Sequence, residues 1–426
     1  MASEYALKQQ KYLYPAMKTY YADPLVLVEG SGRRVKDVTG KEYLDCFGGI
    51  LTTSVGHANP EVVEAMCDQI RHIAHTSTCY LNVPLLQLAE ELASLTPGAL
   101  QKCFFTNSGT EAIETAIASA RFHTKSHWIV SLRHGYHGRS VLATSLTGHA
   151  PWRLGTSEPG ITYAHNGYCY RCPFHQTYPG CDVACARDME ELIRTTTDGR
   201  IAALIAEPIQ GVGGFITPPP EFFKIAVDIA RRHGGLFICD EVQTGFARTG
   251  DYMFGIQHWG VEPDLMVFAK GLANGAPIGA TIARPEIADS WTASTISTFG
   301  GNPVTMAAAI ATLKVMKEQD LPKHVAAMGK RMSDGLWKLQ ERCRFMGDVR
   351  GKGLMIGIEV VREGKAPAAD LTTAFMDAAR QEGVLVGKGG LYGNVLRVTP
   401  PLTITEAEVD EALEKLGRAC DRVRDL

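Results

Sequence analysis

No run of apolar residues in this chain approaches the ~20 needed to cross a bilayer, so no membrane span is expected. The first residues, MASEYALKQQKYLYPAMK, hold no apolar h-region, so no secretory leader is expected and the location expected is cytoplasmic. An excess of one charge is missing too. Lys and Arg number 43 against 46 Asp and Glu, a net charge of −3 with both signs interspersed. That excludes the basic stripe of a nucleic-acid binder and an acidic tail. Internal repeats and low-complexity linkers are also absent. The eleven cysteines form no framework along the whole chain, and several lie in apolar runs (Cys103, Cys239), as expected for reduced thiols. The remaining balance, 45% hydrophobic and 21% charged, is that of a soluble globular protein, and 426 residues predict two domains.

Residues 24–45 alternate apolar runs with Gly and Asp turn signals, predicting a small β meander. Periodic helices are predicted over Val62–Ile73, Val83–Leu95 and Glu221–His233, and from Pro303 through Lys317. Short apolar runs between helical patterns (Cys103–Phe105, Trp128–Leu132, Ala203–Ala206, Leu236–Cys239, Leu265–Phe268, Gly279–Ala283) predict strands. Such alternation argues for a mostly parallel sheet covered by helices on both faces. A separate α+β set follows, with strands at Gly353–Val360, Gly383–Val386 and Val395–Val398 and a final helix whose capping box is Thr405-x-x-Glu408.

Two of the strands end in chemistry. Leu236–Cys239 runs into Asp240-Glu241, and Leu265–Phe268 runs into Ala269-Lys270-Gly271. Ligands of open α/β sheets sit beyond the carboxyl ends of strands, which places Asp240 and Lys270 for a shared crevice. An acid and a lysine there suit a pyridine cofactor, the lysine as Schiff base and the carboxylate beside the ring nitrogen; two unrelated surface residues would show the same spacing. Ser108-Gly109-Thr110-x-x-x-Glu114 opens a helix straight after a strand. With Glu111 it fits a capping box, and with its free amides and hydroxyls it fits a phosphate cradle. Tyr136-His137-Gly138 follows another strand, where an aromatic either stacks on a flat ring or packs in a loop. Glu207 ends the Ala203–Ala206 run, and a carboxylate buried there needs a partner. The candidate is Arg397, inside the apolar run Val395–Val398, by a two-pronged contact. Ser297–Pro303 is a Gly-rich turn before the long helix, either a second anion site or a tight helix start. Cys169, Cys172, Cys181 and Cys185, with His165 and His175 nearby, read as a structural zinc set or as free thiols in a loop insertion. No water-activating group accompanies them, so no catalytic metal is expected.

In this order the motifs resemble the class III (ω-type) aminotransferases, pyridoxal-phosphate enzymes of fold type I, along essentially the whole chain. The most specific stretch is Asp240-Glu241-Val242-Gln243-Thr244-Gly245-Phe246-x-Arg248-Thr249-Gly250, followed by Lys270-Gly271. Within the class the chain is most similar to the alanine–glyoxylate aminotransferase 2 group. That likeness rests on Gly49-Ile50-x-Thr52-x-Ser54-Val55-Gly56-His57, on His75-Thr76-Ser77-Thr78 and on the run Gly347 to Gly357. Ile113 stands where the class more often has Asn, and Ala247 replaces a usual Gly.

The resemblance implies a large domain (66–315) built on a mostly parallel seven-stranded sheet flanked by helices. It also implies a smaller α+β domain (316–426), with residues 1–65 packing against it. Lys270 is implied to hold pyridoxal 5'-phosphate and then to shuttle the substrate proton, while Asp240 keeps the ring nitrogen protonated. Tyr136 and Val242 would cover the ring faces and Gln243 reach its hydroxyl, with His137 and Glu207 also at the cofactor. Ser108, Gly109 and Thr110 would hold the phosphate, joined by Thr298 of a second subunit, which implies a homodimer and leaves a tetramer open. Arg397 would clamp the substrate carboxylate, and Glu207 would pair with Arg397 when a donor lacks one. The implied reaction moves an amino group from an amino acid or ω-amine to pyruvate or glyoxylate, ping-pong, through pyridoxamine phosphate. A lyase of the phospho-lyase type is the alternative on this scaffold. It would need a leaving group at the substrate's β position and a pocket for it; no added Arg/Lys cluster stands near Gly48–Gly56 in the sequence, which does not place Arg33, Arg34 and Arg153.

Overall fold

The computed structural model describes residues 4–155 and 157–424. Among them, seven strands form the central sheet, in the spatial order Lys102–Thr106, Gly279–Ala283, Leu265–Phe268, Leu236–Asp240, Ala203–Ala206, Ile129–Leu132, Ile161–Ala164. The last five pair in parallel, and Gly279–Ala283 runs antiparallel to both of its neighbours. Every residue of the Ala203–Ala206 and Leu265–Phe268 strands is buried, which is why these runs read as continuous apolar stretches without alternation. Parallel pairs need crossovers, and helices such as Phe222–Arg232 provide them, burying Phe222, Phe223, Ala226, Val227 and Ile229.

The expected meander is present as Leu27–Ser31, Arg34–Asp37 and Glu42–Asp45, in antiparallel pairs. Its last strand pairs in parallel with Val384–Leu385. Arg33 and Arg34 reach the final helix, at Glu408 (2.9 Å) and Glu411 (2.6 Å). A four-stranded antiparallel sheet, in the order Met346–Lys352, Met355–Val360, Val395–Val398, Gly387–Gly389, carries Arg397. The final helix, Glu406–Val423, starts with the expected Thr405–Glu408 capping box. Strand Ile161–Ala164 and helices Ala184–Thr196, Leu321–Arg342 and Ala369–Gln381 were not among the elements the sequence pattern predicts. Among the described residues no helix is long and apolar enough to cross a membrane.

One expectation about the cysteines is corrected. Cys343, just beyond the Leu321–Arg342 helix, is disulfide-bonded to Cys420 in the final helix, with Cα atoms 6.5 Å apart. Chain topology packs these two helices together, bringing thiols 77 positions apart into contact, which spacing along the chain cannot show. The zinc reading is not supported either. Cys169, Cys172, Cys181 and Cys185 are free thiols around one small cavity, but among the described residues no three His, Cys, Asp or Glu side chains are arranged to hold a metal ion.

Candidate active site

The strand ends converge as expected. Asp240 closes its strand, and Lys270 follows the neighbouring strand, whose Val267 pairs with Asp240. Both line a cavity of about 330 Å³, together with Ser108, Gly109, Thr110, Tyr136, His137, Glu207, Val242 and Gln243. That volume lies within the roughly 300–1,000 Å³ of small-molecule sites. Lys270 has φ +45, a left-handed conformation that costs a β-carbon residue about 1–3 kcal/mol and is maintained where function requires it.

Ser108 forms the expected helix cap and also lines the cavity. Its Oγ accepts from the Glu111 amide at 3.3 Å, and the Glu111 carboxylate accepts from the Asn107 amide at 2.6 Å, so the first turn is capped. The same turn faces the cavity through Asn107, Ser108, Gly109 and Thr110, where the helix dipole favours an anion. A β-carbon at Gly109 would come within 3.3 Å of the Val242 side chain, so a larger residue there would crowd the cavity wall.

At the far end, His137 Nδ1 meets Asp240 Oδ2 at 2.7 Å, with both side chains buried. Asp240 Oδ1 accepts from the Val242 amide at 3.1 Å. His137 therefore supports the acid and orients it, in addition to lining the cavity. Burial lowers the Lys270 amine from 10.5 to about 8, although Asp240 and Glu207 nearby oppose the change. Glu207 is pushed up to about 7 by burial and then by repulsion from Asp240, against the pull of His137 and two backbone amides.

The Glu207–Arg397 pair is not formed. Glu207 accepts instead from the Tyr136 amide (2.9 Å) and the Gly211 amide (2.7 Å), so its desolvation is met by backbone. Arg397 lies outside the cavity lining, with the faces of Phe47 and Phe215 4.9 and 5.6 Å from its guanidinium carbon. Thr298 is exposed and does not line the cavity of its own chain. Tyr136 meets the exposed Trp152 edge-on at 5.8 Å, while Leu51 is buried and Tyr80 exposed. Arg33 and Arg34 are engaged with the final helix and Arg153 with the Tyr163 hydroxyl (2.8 Å), so none supplies the cationic cluster a phospho-lyase needs.

Sequence reasoning did not place Thr52, Asn107, Arg139 or Ile278 in the cavity wall. Thr52 was visible as part of a family-like motif, and Asn107 as the neighbour of a cap residue; Arg139 and Ile278 carried no local signal. The residues fit pyridoxal phosphate: an anion-favouring helix start, a buried acid at the opposite end and an amine in the same cavity. Gln243 Oε1 and His137 Nε2 are buried polar atoms without protein partners, as expected of groups that serve a bound molecule.

The comparisons agree with this geometry. The model of the family described as aminotransferase class-III matches residues 17–420. An Arabidopsis thaliana protein, alanine–glyoxylate aminotransferase 2 homolog 2, is 41% identical over 98% of this chain and 87% of its own length. The Homo sapiens alanine–glyoxylate aminotransferase 2 is 37% identical over 95% of this chain and 84% of its own. Among solved structures, an amine transaminase from an uncultivated Pseudomonas species in its PLP-bound form superposes with a TM-score of 0.90 at 33% identity, covering 97% of this chain and 99% of that one. The chain belongs to the class III aminotransferases, enzymes that depend on pyridoxal phosphate.

Proposed function

We propose that this aminotransferase takes the amino group of alanine or a related donor and passes it to glyoxylate or pyruvate, working as a homodimer. The observation that carries the reading is the half-buried Lys270, its amine lowered to about 8 by desolvation, in one cavity with Asp240 and the capped helix start. Bound pyridoxal phosphate supplies the electron sink for the charge left at the substrate carbon when its proton departs. Lys270 Nζ, partly neutral near neutral pH, would take that proton from the substrate carbon and hold it for return. Asp240, oriented by His137, would hold the proton on the ring nitrogen. Ser108, Gly109 and Thr110 would hold the phosphate, Tyr136 and Val242 would confine the ring, and Gln243 would reach its hydroxyl. Arg397 receives the substrate carboxylate. Thr298 completes the phosphate site of a second subunit; the exposed apolar side chains beside it, Ile296 and Phe299, support an interface there. Likeness to the two alanine–glyoxylate aminotransferase 2 proteins supports the choice of substrates.

The test is to add L-alanine to purified holoenzyme and follow the cofactor absorbance and pyruvate release. One equivalent of pyruvate per site, with the spectrum restored by glyoxylate, is the expected result. No spectral change with alanine would remove alanine as donor, and phosphate release from a phosphorylated amine without any keto acid would establish a lyase instead. Lys270→Ala should keep measurable cofactor binding and lose turnover.

A further inference from the structure

The four cysteines from Cys169 to Cys185 stand apart from the active site, and the fold delivers them on two arms. Cys169 and Cys172 lie on the first arm. Asn166 fixes it by donating to Gln210, and Tyr168 and Arg171 do so by donating to the buried Glu359. Gly167 adds to this, since a β-carbon there would run into Pro218 at 2.6 Å. Cys181 and Cys185 lie on the second arm, where the buried Val183 leads into the helix Ala184–Thr196. Between the arms, residues 175–180 form an exposed tip, tied down by the Tyr178 hydroxyl donating to Glu221 at 3.2 Å.

All four thiols line one cavity of about 20 Å³, room for about one water molecule. Tyr168, Phe174, Tyr178 and Pro219 form much of the remaining wall. Cys169 is exposed and the other three are half-buried. Burial, then Cys181 and then Cys172, hold the Cys169 thiol above its ordinary value. Burial pushes Cys185 up to about 12, with Cys169 the next cause. Thiols that raise one another in this way are close neighbours, and the neighbour that acts most strongly on Cys169 is Cys181, from the opposite arm. Among the described residues no three side chains are arranged to hold a metal ion, so the cluster has only thiol chemistry to offer.

We propose that Cys169 and Cys181 are a disulfide-forming site, entered by low-molecular-weight disulfides at the exposed Cys169, and that the bond latches the two arms together without switching catalysis. Cys169 Sγ attacks one sulfur of the small disulfide and expels one thiolate. Cys181 Sγ then attacks the Cys169 sulfur and expels the second. Two cysteine thiols give up two electrons and two protons, and the small disulfide becomes two thiols. With its thiol raised, Cys169 holds little thiolate, so the latch closes slowly. For the same reason no stabilised thiolate at Cys169 favours the open form, and the closed bond resists reduction. Asn166 and Tyr168, just ahead of Cys169, are thereby kept on Gln210 and Glu359. None of residues 166–185 lines the cofactor cavity, so closure leaves the reacting groups in place.

The test uses reduced holoenzyme, freed of reductant and incubated with oxidised glutathione. Peptide mass maps taken without reductant should show Cys169 joined to Cys181 with no glutathione left on either; Cys343 and Cys420 fall in other peptides. A protease cut within residues 175–180 should leave the two arms joined until reductant is added. Cys181→Ser should stop at the intermediate, with glutathione held on Cys169, and Cys169→Ser should form no bond between the arms. The alanine half-reaction should change by no more than about twofold on closure. Glutathione remaining on Cys169 of the wild type would overturn the site, as would a bond confined to one arm. Zinc retained by the purified protein and lost in Cys169→Ser would overturn it as well, in favour of a metal. A larger fall in the half-reaction, in step with bond formation, would refute the claim that the latch leaves catalysis alone.

Discussion

Replacing Lys270 by methionine should stabilise the apo-protein, and the gain should depend on pH in a defined way. Lys270 is half-buried in the cavity wall, and desolvation lowers its amine from 10.5 to about 8. At about 1.4 kcal/mol per tenfold change, that displacement corresponds to about 3 kcal/mol of folding free energy. The sign follows from proton counting. Below pH 8 both folded and unfolded chains carry the ammonium, and the folded state bears the full desolvation cost. Between about pH 8 and 10.5 the unfolded chain holds the proton and the folded chain does not, so wild-type stability gains with rising pH from this group. Above 10.5 both are neutral and the penalty is gone. Methionine has similar length and no charge, and it leaves the left-handed backbone at this position unchanged. Lys270→Met should therefore be more stable than wild type by up to about 3 kcal/mol at pH 7, with the advantage shrinking through pH 8 to 10.5. Urea denaturation of both apo-proteins at several pH values measures the difference, and titrations common to the two cancel. A constant offset reflects only the altered packing; the slope is the test. Parallel stability profiles over this range would refute the claim that the lysine is held desolvated for its task.

Two further outcomes follow from contacts away from the amine. His137→Phe removes the 2.7 Å bond to Asp240, and losing a hydrogen bond to a buried charge at about 1.5–3 kcal/mol predicts a fall of about 10–100-fold in the alanine half-reaction. His137→Gln should recover part of it, and phosphate-anchored cofactor should still be retained after gel filtration. The joint change Cys343→Ala and Cys420→Ala opens a cross-link of sequence separation 77, which loop-closure entropy values at up to about 4.5 kcal/mol. Urea midpoints with and without reductant should differ for wild type and coincide for the double variant. Identical wild-type midpoints would mean that the cross-link adds nothing to stability.

Most of the catalytic layout was legible because a parallel sheet puts chemistry at strand ends, and a short apolar run followed by Asp240 or Lys270 advertises that position in one dimension. The helix Leu321–Arg342 was not legible, and its glycines explain why. Gly329 and Gly335 lower helix propensity, but a β-carbon at Gly329 would collide with Gly353 and one at Gly335 with Leu413, so packing demands the residues that local preference disfavours. The Glu207–Arg397 pairing failed for a related reason. Opposite charges in a sequence suggest each other, yet the amides of Tyr136 and Gly211 satisfy Glu207 without any side chain to announce them. Arg397 found its surroundings in Phe47 and Phe215, which lie far from it along the chain. The trace of that arrangement in the sequence was glycine: Gly357 and Gly387 flank Arg397 in the sheet and carry no chemistry of their own. Only the strand register shows that they leave the space the two rings fill, so residues without a functional atom decide where the Arg397 guanidinium lies.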